Sequence, residues 1–254
     1  MGELSWAESL ALVGVGAVSG ALNVLAGGGS FLSLPLLIFL GLPPGVANGT
    51  NRIAILVQNM GAVWRFRRHG LVDRSWIALA ALPAAAGAVL GTWAAIEIGD
   101  AAFRRVLAVL MVAATLWILW DPVQRRAARE AIEAPGARRR IALGAAFFVV
   151  GIYGGFVQAG IGFLLAAVAT WAGLDLVRGN ALKVLVVLGL TPLSLALFAW
   201  SGRVDWAAGL PLAVGHLVGA LIGVRLTILK GHAWIKRFVT ITVIAFAIKL
   251  WLAP

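Results

Sequence analysis

Long apolar segments separated by short polar connectors occupy the whole chain of 254 residues. The apolar runs lie approximately at 8–26, 30–42, 53–64, 75–96, 102–120, 141–157, 160–174, 184–200, 206–229 and 235–253. A helix needs about 20 residues to cross a bilayer, so several runs are long enough to span, whereas 30–42 and 160–174 are too short. This pattern predicts an all-α polytopic membrane protein with about eight to ten membrane segments.

The composition agrees with a lipid-facing exterior. Hydrophobic residues make up 61% of the chain and charged residues 12%, about half the share of charged residues in a soluble protein. The absence of cysteine excludes disulfides, thiolate metal sites and thiol catalysis. The net charge of +11 is concentrated in short connectors such as 65–68 and 125–140, which is the positive-inside pattern of a membrane protein rather than a nucleic-acid surface.

Both short runs follow a cluster of glycines. The first cluster is Ala26-Gly27-Gly28-Gly29-Ser30, and the second extends from Gly154 to Gly162. Glycine costs about 1 kcal/mol in a helix interior, so both clusters predict broken or re-entrant helices near the middle of the membrane.

The two halves of the chain match without gaps at a shift of 132 residues. At this shift Gly28 corresponds to Gly160 and Asn48 to Asn180, and the motif Gly-x-Val-Asp at 70–73 returns at 202–205. Such in-register matches indicate an internal duplication. We therefore predict a membrane repeat at 1–120, a basic cytoplasmic linker at 121–140 and a second repeat at 141–254, which together form one transport domain.

Charge predicts that the two repeats have inverted topology. With the connector 65–74 in the cytoplasm, most basic residues fall on the cytoplasmic side, and corresponding connectors exchange their charge between the halves. An inverted repeat needs an odd number of crossings in each half, which either five full spans or three spans with a re-entrant pair would provide. Both termini are then periplasmic.

The first candidate site lies at the glycine cluster of repeat one. Gly28, Gly29 and Ser30 would form the amino terminus of a short helix, with Ser30 as its N-cap, and a helix amino terminus favours an anion. Gly160 marks the corresponding place in repeat two. The alternative is that these glycines only allow close packing of helices.

The second candidate site combines amides and cations near the start of an apolar helix in each half. It comprises Asn48, Thr50, Asn51 and Arg52 in the first half and Asn180 and Lys183 in the second. Amides, a hydroxyl, a guanidinium and an ammonium all donate hydrogen bonds to oxyanions. The alternative is that the asparagines cap helices and the cations reach the membrane interface.

Further intramembrane polar residues are candidates for the same cavity. Gln58 and Asn59 follow Arg52 on its helix, and Gln158 lies within the second glycine segment, with Asn23 before the first. Hydrogen bonding between helices is the alternative role. His216 has Ala84 as its counterpart, and it is predicted either to relay a coupled proton or to be a core histidine.

No sequence feature points to a catalytic, metal-binding or cofactor-dependent function. A Walker A motif and a helical pair of metal ligands are missing, and so is a nucleophile with its general base. We therefore expect no cofactor, no metal and no enzymatic activity, with lipid and a small anion as the partners. The many glycines are compatible with a homodimer.

The motifs resemble the TauE/SafE family of membrane proteins. The resemblance rests on Ala26-Gly27-Gly28-Gly29-Ser30 followed by Leu-Pro, on Ala47-Asn48-Gly49-Thr50-Asn51, and on a degraded second copy around Gly160 and Asn180. It implies secondary transport of sulfite, sulfoacetate or another organosulfonate across the bacterial inner membrane. The rival hypotheses are an intramembrane enzyme acting on an anionic lipid head group and a non-transporting membrane subunit.

Overall fold

The computed structural model describes residues 4–25, 27–73, 75–120 and 136–230, and these form nine α-helices without a strand. The helices are α1 (Trp6–Leu25), α2 (Ser30–Phe39), α3 (Pro44–Arg68), α4 (Leu82–Glu97), α5 (Asp100–Trp120), α6 (Ala137–Phe156), α7 (Ile161–Trp171), α8 (Leu176–Trp200) and α9 (Trp206–Lys230). A π-helical turn, Ile77–Ala81, leads into α4. Most of the predicted linker and the run 235–253 lie outside the described residues.

Five of these helices are long and apolar enough to cross a membrane. They comprise α1, α6, most of α8 and α9, and Ile77–Glu97, which includes α4. Large apolar side chains such as Trp93 and Leu210 are more than half exposed, as expected of surfaces that face lipid. The prediction of an all-α polytopic membrane protein is therefore confirmed.

The two short helices fold back along the helices that precede them. Gly27 has a positive φ of 87°, and Gly29 packs against the backbone of Ser19, so that α2 returns beside α1. In the second half, Arg139 at the start of α6 donates to the carbonyl of Trp171 at the end of α7 (2.6 Å). Each short helix therefore forms a helical hairpin with the helix before it.

The two halves pack against each other through reciprocal helix pairs. Helix α1 lies along α9 in the same direction, and Gly219 approaches the backbone of Ala17. In the corresponding pair, α6 lies along α4 and Gly87 approaches the backbone of Phe148. Glycine permits such approaches because it lacks a Cβ. Helices α3 and α8 lie between these pairs and contact both, so polar residues on them are held at the centre of the molecule.

Two details of the helix starts differ from the sequence-based expectations. Gly29 occupies the N-cap position of α2, so the prediction that Ser30 is the N-cap is wrong. Instead, the Ser30 hydroxyl accepts a hydrogen bond from the amide of Asn51 (3.3 Å). Helix α3 already begins at Pro44, and the polar residues from Asn48 to Arg52 lie inside it.

Candidate functional site

The two glycine breaks meet at the centre of the molecule. The backbones of Gly27 and Gly162 lie so close that neither position has room for a methyl group. Around this contact, the ring of Phe31 packs against Gly160 and the ring of Phe163 packs against Gly28. Gly160 has a φ of 77°, a conformation that disfavours other residues. The breaks from both halves therefore form one junction, and the elements beside it define the central cavity.

The central cavity is small, and half of the residues that line it are polar. Its polar lining consists of Asn23, Gln58, Asn59, Gln158 and Lys183, and its remaining lining consists of Ile55, Ile161, Gly162, Val184 and Val187. The volume of about 10 Å³ leaves room for one water molecule at most. The polar lining comprises one cation and four neutral amides, a combination that can bind an anion once the cavity widens.

Lys183 is the cation of the central cavity, and it is 3% exposed. Its Nζ donates to the carbonyl of Val24 at 2.6 Å and to Oδ1 of Asn180 at 2.9 Å. An ammonium has three N–H donors, so these two bonds leave one donor for a ligand. Val24 lies in the last turn of α1, where the helix dipole favours a positive charge.

Arg52 is fully buried, but its side chain does not line the central cavity. Its Nη1 and Nη2 donate to the carbonyls of Gly154 and Gly155, both at 2.7 Å, and its guanidinium lies 5.1 Å from the ring centre of Phe198. The two carbonyls belong to the last turn of α6. The guanidinium that was predicted to bind an oxyanion therefore binds the end of α6 in this conformation.

The two buried cations have equivalent roles in holding the halves together. Arg52 on α3 binds the end of α6, while Lys183 on α8 binds the end of α1. The last carbonyls of a helix lack partners within that helix and carry partial negative charge, so a buried cation is stabilised there. Each half thus supplies the cation that caps the first helix of the other half.

Other predicted site residues join helices rather than line the cavity. Asn48 donates to the carbonyl of Phe156 (2.9 Å), and the hydroxyl of Thr50 accepts from the backbone N–H of Asp205 (2.8 Å). Oδ1 of Asn51 accepts from the hydroxyl of Ser33 (2.6 Å). Asn48 and Asn180 both lie inside their helices, so neither is the N-cap of its own helix.

A hydrogen-bonded chain joins the central cavity to His216. Nδ1 of His216 lies 2.8 Å from Oε1 of Gln58, which also accepts a bond from Asn23 (3.3 Å). Gln58 and Asn23 both line the cavity, whereas His216 is fully buried behind them on α9. Nε2 of His216 has no hydrogen-bond partner within the part of the chain that the structure describes.

Hydroxyl residues that the sequence analysis did not single out complete the site. Thr191 accepts a bond from Nε2 of Gln158 (2.8 Å), and Thr92 donates to the carbonyl of Gly155 (3.1 Å). Thr191 could have been found from its spacing, because it lies eight residues after Lys183 and therefore on the same face of α8. No comparable signal existed for Thr92.

The described residues offer no site for a metal, since they contain no group of three or more His, Asp or Glu side chains that could hold an ion.

Comparison with known proteins agrees with this interpretation. A family model described as "Sulfite exporter TauE/SafE" matches residues 12–250. The chain belongs to the TauE/SafE family. It is 28% identical over 238 residues to a "Probable membrane transporter protein ORF9" of a Sinorhizobium species, with 93% of this chain and 90% of the relative covered. It is 27% identical to a "Probable membrane transporter protein" of Haemophilus influenzae (89% and 88% covered) and 28% identical to "Probable membrane transporter protein YfcA" of Escherichia coli K12 (93% and 87% covered).

No solved structure matches the chain. The family and these relatives identify the chain as a multi-pass membrane transporter, not an enzyme.

Proposed function

We propose that this protein is a secondary transporter for a sulfur-containing anion, either sulfite, sulfoacetate or another organosulfonate. It moves this anion across the bacterial inner membrane by alternating access. The transporter class follows from the family, while the anion and the mechanism are inferred from the central cavity and from the family name.

The observation that carries the proposal is the buried ammonium of Lys183 beside four amide side chains. Within the described part of the chain no carboxylate lines the central cavity, and the oxygens that Lys183 contacts, such as the carbonyl of Val24, are neutral. A sulfonate can accept hydrogen bonds from the ammonium and from amide N–H groups at once. Neutral partners also allow release, because they contribute less binding energy than additional cations would.

The closed state of the central cavity supports alternating access. An anion larger than water does not fit into about 10 Å³, so the substrate enters only when the surrounding helices separate. The reciprocal helix pairs and the antiparallel packing of α3 on α8 are the arrangement expected of inverted repeats that rock about a shared centre. The glycine junction lies at that centre.

His216 couples the transport of the anion to a proton in this mechanism. Protonation of Nε2 places a positive charge one side chain behind Gln58, and an anion in the cavity stabilises that charge. The anion and the proton therefore favour each other's binding.

The basic connectors of the protein face the cytoplasm and both termini are periplasmic. This orientation is based on charge, since Arg65, Arg67 and Arg68 end α3 and Arg138 to Arg140 begin α6. We propose that the glycine junction is positioned by Gly28, Gly29, Ser30 and Gly160 together with Asn48, Thr50 and Asn51 of α3. Arg52 holds the end of α6 in place. A homodimer in the membrane is compatible with these roles.

Flux through purified protein in liposomes tests the proposal. Labelled sulfite and labelled sulfoacetate should accumulate unchanged, and an imposed proton gradient should increase accumulation. Replacing His216 by Gln should abolish the response to the gradient while exchange of labelled for unlabelled anion continues. Conversion of a lipid phosphate without flux would instead indicate an enzyme, and folded protein with neither activity would indicate a non-transporting subunit.

A further inference from the structure

A second and larger cavity opens beside the connector that follows α3. This outer cavity has a volume of about 260 Å³ and is lined by residues 70–73 of the connector, by Trp76 and Leu174, and by the first turns of α8 including Arg178, Leu182 and Leu185. It lies at the end of the molecule that carries the arginines of α3 and α6, because residues 70–73 follow Arg68, and Leu174 follows Trp171, whose carbonyl accepts a hydrogen bond from Arg139.

The corresponding place in the other half is closed. The motif Gly-x-Val-Asp occurs at 70–73 and again at 202–205. At the second connector, the carbonyl of Arg203 presses against Gly49, and the backbone N–H of Asp205 bonds to the hydroxyl of Thr50. Ile53 is buried there, whereas Leu185, its counterpart at the shift of 132, lines the outer cavity.

The sequence explains why the two places differ. The counterparts of Gly49 and Thr50 are Ala181 and Leu182, which line the outer cavity. A methyl group at Gly49 would collide with the Arg203 carbonyl, so Ala181 cannot allow the same approach of a connector. Leu182 also lacks the hydroxyl with which Thr50 holds Asp205. The resting protein therefore favours closure at 202–205 over closure at 70–73.

From this asymmetry we infer that the outer cavity is the open entrance of the transport pathway for the sulfonate-type anion, and that the connector at 202–205 is the closed gate on the opposite side. The inference depends on the proposed function for the identity of the cargo. Arg178 places a cation at the entrance; its side chain is 68% exposed and 3.6 Å from Asp175, and the carboxylate of Asp73 lines the same cavity.

Helix α8 lines both the entrance and the central cavity. Leu182 and Leu185 line the outer cavity, while Lys183, Val184 and Val187 line the central one. A small rotation or tilt of this part of α8 joins the two cavities and exposes Lys183 to the entering anion.

The absence of cysteine allows a direct test with single thiols in the full chain. Leu185→Cys reports on the entrance, and Ile53→Cys is its matched control at the closed gate. Rates of reaction with a membrane-impermeant, charged maleimide are compared in cells and in inverted membrane vesicles. Leu185→Cys should react at least tenfold faster than Ile53→Cys, and only in inverted vesicles, where the face with the basic connectors is accessible. Val72→Cys and Val204→Cys form a second matched pair if either variant fails to fold.

Labelling in the presence of sulfoacetate tests separately whether the outer cavity is the entrance and whether a sulfonate is the transported anion. During turnover, it should slow the labelling of Leu185→Cys and accelerate that of Ile53→Cys from the opposite face. Equal labelling rates for both thiols without a ligand, or labelling of Leu185→Cys from both faces of the membrane, would overturn the assignment of the outer cavity as the entrance. One-sided labelling that does not respond to sulfoacetate, together with no sulfoacetate flux, would support the entrance and overturn the sulfonate as cargo.

Discussion

Replacing Lys183 by Gln should severely weaken binding of the transported anion. Lys183 is the cation that lines the central cavity, and two of its three N–H donors are already engaged. Gln can still donate one hydrogen bond toward the carbonyl of Val24, so the end of α1 keeps a partner. The substitution therefore removes chiefly the charge that a bound anion would meet.

The expected loss follows from two limits. One charge-assisted hydrogen bond contributes about 2 kcal/mol net. The Coulomb attraction between unit charges 4 Å apart is about 4 kcal/mol at an effective dielectric constant of 20. Since each 1.4 kcal/mol corresponds to a factor of ten, the KM for sulfite or sulfoacetate should rise about 30-fold to 1,000-fold.

The assay is initial uptake of labelled anion into proteoliposomes over a range of concentrations, with folding checked by size-exclusion chromatography in detergent. Arg138→Gln is the control, because Arg138 is an exposed cation at the start of α6 and its removal should leave KM unchanged. A folded Lys183→Gln protein whose KM stays within threefold of the wild-type value would refute the assignment of Lys183 to the anion.

Four further substitutions test other parts of the structure. Arg52→Gln removes two charge-assisted hydrogen bonds to the end of α6 and should lower the free energy of unfolding by about 3 kcal/mol; a thermal unfolding curve in detergent measures this, and an unchanged midpoint would contradict the capping role. Gly162→Ala forces a methyl group against Gly27 and should destabilise the protein by about 1–3 kcal/mol. Gly144→Ala, whose new methyl group would meet no atom nearer than 3.9 Å, should be neutral or stabilising in the same unfolding assay. The pKa of Asp73 lies below its ordinary value of 3.8 because the backbone N–H of Ser75 bonds to its carboxylate. A lowered pKa stabilises the folded state at a pH above the unfolded-state pKa, and this stabilisation is lost as the pH falls through the folded-state pKa. Asp73→Asn should therefore lower the unfolding midpoint at pH 7 but not in acid, where the carboxyl group is protonated. An equal decrease at both pH values would exclude the charge as the cause.

Most helices could be predicted because hydrophobic length and glycine position are local signals. The run 102–120 and α5 differ at their starts by two residues, and the break predicted around residues 26–30 separates α1 from α2. The start of α3 was less predictable. Asn48, Asn51 and Arg52 give this segment a polar sequence, yet it is buried helix, because its polar groups bond to α2 and to the end of α6.

The candidate site was predictable in its residue types but not in its pairings. Gln58, Asn59, Gln158 and Lys183 were expected in a common cavity, and all four line the central cavity. Arg52 and Lys183 lie one residue out of register in the repeat, since Arg52 corresponds to Val184 and Lys183 to Asn51 at the shift of 132. The two cations differ in their hydrogen-bond partners. Both terminal nitrogens of Arg52 donate to carbonyls at the end of α6, whereas one donor of Lys183 bonds to a carbonyl at the end of α1.

This difference in donors links the fold to transport. A guanidinium engaged by two carbonyls holds α6 rigidly, so the interface between α3 and α6 should move as one body. An ammonium is a point charge on a flexible stem, and it can turn from the carbonyl of Val24 toward an anion without a change of side chain. When it turns, the end of α1 loses its cation and the contact between α1 and α8 weakens. Anion binding at Lys183 should thereby loosen α1 against α8, whereas the bonds of Arg52 to the end of α6 should persist, so that one half can move against the other.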